Sequence, residues 1–138
     1  MAANVVVDSN VYIRLLRHRM DPVTRLGAWI GAGDLVICGM VRVEVERGLK
    51  VERIRRRLGA FFDVMINVPT SNRVWEQTTQ LAWQLDRQGK NLPPQDILIA
   101  VSAMAVGAMV LTDDAHFDLI PGITVLDPAS ELADWPPE

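Results

Sequence analysis

Short apolar runs alternate along the chain with longer segments in which apolar side chains recur every three or four positions. Val5-Val6-Val7 is a continuous β-branched run, the pattern of a strand buried on both faces. Asp8, Ser9 and Asn10 then offer side-chain acceptors for a helix start, and Val11 to Leu16 continues as helix. Asp21-Pro22 joins a cap to a first-turn proline and opens a second helix, expected to stop at Gly31-Ala32-Gly33. Leu35 to Cys38 reads as a second strand. Met40 to Leu49 is ambiguous: Val41, Val43 and Val45 alternate with charged residues as in a strand, whereas Val41, Val45 and Leu49 share one helical face. Helix is preferred, because Val51, Ile54, Leu58 and Phe61 continue at helical spacing in the next segment. Met65 to Val68 predicts a third strand. Ser71 caps a long helix with Val74, Thr78, Leu81, Ala82 and Leu85 on one face, stopped near Gly89. Pro93-Pro94 pre-sets a helix over 95–106 that is apolar nearly all round and therefore central. Gly107 ends it, and Met109 to Leu111 and Ile123 to Leu126 supply a fourth and a fifth strand.

Strands alternating with helices predict an α/β protein: a three-layer α/β/α fold around a mostly parallel sheet of four to five strands. The 138 residues are one domain's worth, 1–138, and a hydrophobic fraction of 49% is enough to bury a core. The tail over 128–138 carries Pro128, Pro136 and Pro137 and reads as loose or bound to a partner. Trp29, Trp75 and Trp83 read as core or interface anchors, and Trp135 as one able to dock on the same domain or on a neighbouring subunit. Cys38, the single cysteine, lies in an apolar run and is expected to be a buried thiol. The amino-terminal residues do not have the pattern of a secretory leader, and the longest apolar stretch, Ile97 to Leu111, falls short of a membrane span. A soluble, cytoplasmic protein is expected.

The net charge of −3 conceals an asymmetry. Residues 1–90 hold all 14 Lys and Arg against 9 acids, net +5, whereas residues 91–138 hold 8 acids and no Lys or Arg, net −8. A nucleic-acid substrate is therefore not excluded, since phosphates respond to local surface charge.

Functional groups of open parallel sheets gather at the carboxyl ends of the strands. Asp8 follows the first strand, Glu44 lies just after the second, Asp113 and Asp114 follow the fourth, and Asp96 sits in the first turn of the most apolar helix. Clustered carboxylates repel one another unless a cation neutralises them, and oxygen ligands favour hard ions such as Mg²⁺ or Mn²⁺. Two histidines and one cysteine are too few for a zinc site. A divalent ion so held suits phosphodiester hydrolysis. Each acid also has a plainer reading: Asp8 as a helix cap, Asp96 as a first-turn acid, Glu44 as a solvated charge, Asp114 as a turn residue.

The residues around these acids carry a resemblance. Val5 to Ile13, with Asp8 and Ser9 between strand and helix, resembles the opening motif of PIN-domain ribonucleases. Glu44-Val45-Glu46-Arg47-Gly48 is similar to the second motif, Asp96-Ile97-Leu98-Ile99-Ala100 to the third, and Leu111-Thr112-Asp113-Asp114-Ala115-His116-Phe117 to the fourth. The order and span, about 120 residues, resemble the toxin half of VapBC-type toxin–antitoxin pairs. The resemblance implies a PIN-like, Rossmann-type fold and an acidic quartet of Asp8, Glu44, Asp96 and Asp114 around Mg²⁺ or Mn²⁺, with Asp8 and Asp96 the surest ligands. Ser9 and Thr112 would orient acids. Asp113 and Asp114 compete for the fourth place, with the motif register favouring Asp114. His116 would touch substrate or metal water, or make a structural hydrogen bond. The resemblance further implies a homodimer, an antitoxin that blocks the site, and RNA as substrate.

Seven of the basic residues lie between Arg42 and Arg57, and Arg14, Arg17 and Arg19 follow the first helix start. Arg14, Arg55, Arg56 and Arg57 are the candidates for meeting an RNA backbone, although the same arginines could pair with an acidic antitoxin or form a solvated helix face. A housekeeping PIN nuclease and a non-catalytic PIN-fold binding module are the alternatives. A phosphate-receiver domain would want an Asp after the third strand, where Met65 to Thr70 supplies none, and an aspartyl phosphatase would want Asp-x-Asp where Asp8 is followed by Ser9-Asn10.

Overall fold

The computed structural model describes residues 4–30 and 34–138. Strand β1 (Asn4–Val7) leads into α1 (Ser9–Arg17) and α2 (Pro22–Trp29). Strand β2 (Asp34–Cys38) is followed by α3 (Gly39–Glu46) and α4 (Glu52–Asp63), and β3 (Ile66–Val68) by the hairpin of α5 (Asn72–Arg87) and α6 (Pro94–Ala105). Strand β4 (Met109–Leu111), a short 3-10 helix over Ala115–Leu119, β5 (Val125–Leu126) and α7 (Pro128–Glu131) complete the chain. The expected glycine stop at Gly31-Ala32-Gly33 lies outside the described residues.

All strand pairs are parallel, in the order β3-β2-β1-β4-β5. Val5, Val6 and Val7 are almost wholly buried because β1 is the central strand, covered on both faces. The chain winds outward from β1 through β2 to β3, then crosses to β4 on the other flank of β1. That reversal opens a crevice between the carboxyl ends of β1 and β4, the place where open parallel sheets bind ligands. Five parallel strands between helices form the expected α/β/α arrangement, and the fold class stands.

The ambiguous segment is helical. Val41 and Val45 point into the core from α3, and Val43, their strand-like partner in sequence, is 57% exposed. The segment that follows is a separate helix: the chain leaves α3 after Glu46 and restarts at Glu52 as α4, whose Leu58 and Phe62 are buried. Tyr12 of α1 meets Phe62 edge to face at 5.3 Å and ties the two helices together. Helix α6 is buried from Ile97 through Ala103, as its all-round apolar pattern requires, and Gly107, at φ +64°, turns the chain into β4.

The carboxy-terminal tail is docked rather than loose. Asp127 caps α7 through Ala129 N at 3.0 Å, and Leu132 and Pro136 are buried. Trp135 lies under the Arg14 guanidinium, 4.9 Å from ring centre to Cζ, so it docks on its own domain. Trp29 packs against the core, but Trp75 and Trp83 are 50% and 58% exposed and are not core anchors. Cys38 is buried. Among the described residues no helix is long and apolar enough to cross a membrane.

Candidate metal centre

Asp8 ends β1 and begins α1, and that position fixes its carboxylate. One oxygen accepts from Ser9 N at 2.8 Å, which caps the helix, and the other accepts from the Thr112 hydroxyl at 2.8 Å across the crevice from β4. Thr112 Oγ1 in turn accepts from Asp114 N at 3.0 Å and from Asn10 Nδ2 at 3.3 Å. The β1–β4 register, Val7 opposite Leu111, is what brings Asp8 and Thr112 side by side. Glu44 comes in from α3, where its Oε1 accepts from Ser9 Oγ at 3.3 Å. The cap of α1 and the bond from Thr112 therefore share one carboxylate.

Asp96 enters from the first turn of α6. His116 Nδ1 lies 3.0 Å from Asp96 Oδ2 and 3.2 Å from Asp114 Oδ1, and Asp114 Oδ1 also accepts from His116 N at 2.9 Å. Asp96, Asp114 and His116 each present a ligand atom within 4.8 Å of the others. Asp8 and Glu44 border this trio. Five side chains from four segments thus meet at one edge of the sheet.

Their charges are felt mutually. Burial, above all, pushes the Asp8 carboxyl up to about 6, against the hydrogen bonds from Thr112 and Ser9, and the charges of Asp96 and Glu44 add to the rise. Asp96 is likewise pushed up to about 6, first by burial and then by the nearby Asp114 carboxylate. The His116 imidazole is moved upward, first by its bond to Asp96 and then by the charge of Asp114. A cluster of carboxylates that resists ionisation fits a hard divalent cation, which would supply the missing counter-charge. Carboxylate oxygens with one imidazole are a donor set for Mg²⁺ or Mn²⁺ rather than for a thiolate-seeking ion.

The two adjacent acids part company. Asp114 faces Asp96 and His116, whereas Asp113 is ion-paired with Arg14 on the outer side of α1. The other candidate substrate arginines also have acid partners: Arg57 with Asp21 at 2.6 Å, Arg55 with Glu46 at 3.4 Å, and Arg56 with Glu52 at 3.4 Å. Asn10 was not foreseen as part of the centre, since an amide after Asp8 and Ser9 reads as a local cap; it reaches the β4 turn instead. Asp118 and Asp127 also escaped notice, and both line a cleft of about 310 Å³ beside Asp113 and Asp114.

Comparison with known proteins places this geometry. The PIN domain family matches residues 5–123. No curated protein sequence matches the chain. Among solved structures, the chain is similar to VapBC2 from Rickettsia felis bound to a DNA fragment from their promoter, at 20% identity and TM-score 0.74, covering 90% of this chain and 98% of that one. It is similar to DNA-bound VapBC from Salmonella typhimurium at 23% identity and TM-score 0.74, covering 92% and 98%. The PIN domain endonuclease Utp24 is a more distant likeness, 22% identical at TM-score 0.52, covering 90% and 84%.

Proposed function

The chain belongs to the PIN-domain family, and on that premise we propose that it is a divalent-metal-dependent endoribonuclease, the toxin partner of a VapBC-type toxin–antitoxin pair. One observation supports the reading: Asp8 and Glu44, linked through Ser9, stand at the same edge of the sheet as Asp96 and Asp114, linked through His116. The VapBC complexes among the structural neighbours support the toxin assignment.

Asp8, Asp96 and Asp114 would hold Mg²⁺ or Mn²⁺, with Glu44 at the border. The ion, when bound, lowers the pKa of a water and stabilises charge on a leaving oxygen. The protein's share is positioning. Thr112 fixes the Asp8 carboxylate by donating to one oxygen, and Ser9 Oγ does the same for Glu44. His116 Nδ1 sits between Asp96 and Asp114 and orients both carboxylates. RNA is the substrate, an antitoxin protein the inhibitor, and a homodimer the assembly in this proposal, with the cytoplasm its location.

Metal-stripped protein incubated with cellular RNA tests the reading. Cleavage is expected only after Mg²⁺ or Mn²⁺ is added, and is expected to fall at least about 100-fold in Asp8→Asn and Asp96→Asn. Equal cleavage by the variants would place the activity elsewhere. The Utp24 likeness favours a second reading, a housekeeping nuclease with the same centre. Growth arrest on expression, relieved by co-expression of a small neighbouring gene, distinguishes the toxin from it.

A further inference from the structure

The described tail is tied to the centre through one side chain. Arg14 stands on α1 four residues after Asn10, so the two share a face of the helix. Its Nη2 is paired with Asp113 and lies 3.4 Å from Glu138 Oε1, and its guanidinium stacks on Trp135. A second arginine secures the same strap: Arg25 Nη1 donates to Ala133 O at 3.3 Å and lies 3.8 Å from Asp134. Buried Leu132 and Pro136 anchor the strap between these polar contacts.

Asp113 and Asp114 are neighbours of equal chemistry on one short turn, and either could in principle turn towards Asp96. Asn10 grips that turn through Thr112 Oγ1 and, at 3.5 Å, through Asp113 N. Arg14 holds the Asp113 side chain outward, which leaves Asp114 to face Asp96. The Arg14 side chain is itself only 17% exposed, because Trp135 covers it. A guanidinium fixed by a stacked ring and two carboxylates has little freedom to release its partner.

We propose that Arg14, clamped by Trp135 of the carboxy-terminal strap, is a positioning residue that selects Asp114 over Asp113 as the acid facing the metal centre. The proposal rests on the metal-centre reading above. It makes the tail, whose Trp135 is more than a hundred residues from Arg14 in sequence, part of the machinery that shapes the site.

Mn²⁺ binding to the full-length, metal-stripped protein, followed by electron paramagnetic resonance, tests it alongside the melting midpoint of the same samples. Charge alone predicts that Arg14→Ala tightens Mn²⁺ binding, since a cation is removed. Positioning predicts the opposite sign: weakening of roughly tenfold, in line with partners that orient metal ligands. Trp135→Leu, which changes no charge, is expected to weaken binding in the same direction, and Arg14→Lys to do so by less than Arg14→Ala. Asp113→Asn combined with Arg14→Ala is expected to show a non-additive loss, because Asp113 is what Arg14 restrains. Unchanged or tighter binding in Arg14→Ala and Trp135→Leu, with Asp96→Asn abolishing it, overturns the strap's role while leaving the metal centre intact. Retained binding in Asp96→Asn removes the metal centre and the strap's role with it. If Arg14→Ala lowers the melting midpoint sharply, Trp135→Leu and Arg14→Lys decide the question.

Discussion

Asp8 is where three demands fall on one carboxylate: it caps α1, it accepts from Thr112, and it sits buried beside Asp96 and Glu44. Burial raises its pKa from 3.8 to about 6 in the folded, metal-free chain. The folded state therefore binds this proton more tightly than the unfolded state. The stabilising contribution is complete below about pH 4 and is lost as pH rises through about 6, a loss on the order of 3 kcal/mol. Asp8→Asn removes that loss. The metal-free variant is expected to melt about 10 °C above the wild type at pH 8, with no gain at pH 4; a variant less stable at both pH values would contradict this. Asp8 and Asp96 were legible in sequence because each follows a strong signal, a valine run or a double proline. The motif register favours Asp114 over Asp113, but the partner that holds Asp113 outward, Arg14, lies about a hundred residues away and leaves no local signal.

Helix α1 does more than cover the sheet. Its first turn carries Ser9 and Asn10 to the centre, and its second turn carries Arg14 to the turn after β4. Asn10→Ala deletes the grip on Thr112 and Asp113 from an intermediate, partly solvated position. RNA cleavage is expected to fall roughly tenfold with the fold retained; full activity would show that the turn holds its shape without α1. Strands and helices were readable where apolar periodicity is strong, as in β1 and α6. The segment after α3 was readable too, from the spacing of Val51, Ile54, Leu58 and Phe61, but its start was not: Val51 is the cap and Glu52 begins the helix. The fifth strand is shorter than the run Ile123 to Leu126 suggests, since β5 is an edge with a single partner, β4.

Over the whole molecule, charge is divided between a basic first two thirds and an acidic remainder, but the division is partly spent in internal pairs. Arg55, Arg56 and Arg57 each lie beside an acid, Glu46, Glu52 or Asp21. Phosphates would have to compete with those acids. Neutralising all three is expected to weaken single-stranded RNA binding and to lower the salt slope by less than the roughly 2.1 that three free phosphate contacts would give. Binding unchanged across salt would remove them from the substrate path. The tail's docking was hidden from sequence for a related reason: prolines and acids read as a loose end until Arg14 and Arg25 are seen to receive them.

The central claim is that acids from four segments converge on one cation. Crystals soaked in Mn²⁺ and measured at the manganese absorption edge test it without relying on activity. An anomalous peak is expected within coordination distance of the Asp96 and Asp114 carboxylates, on the side facing Asp8. Ordered manganese elsewhere on the molecule, and none at this crevice, would contradict it.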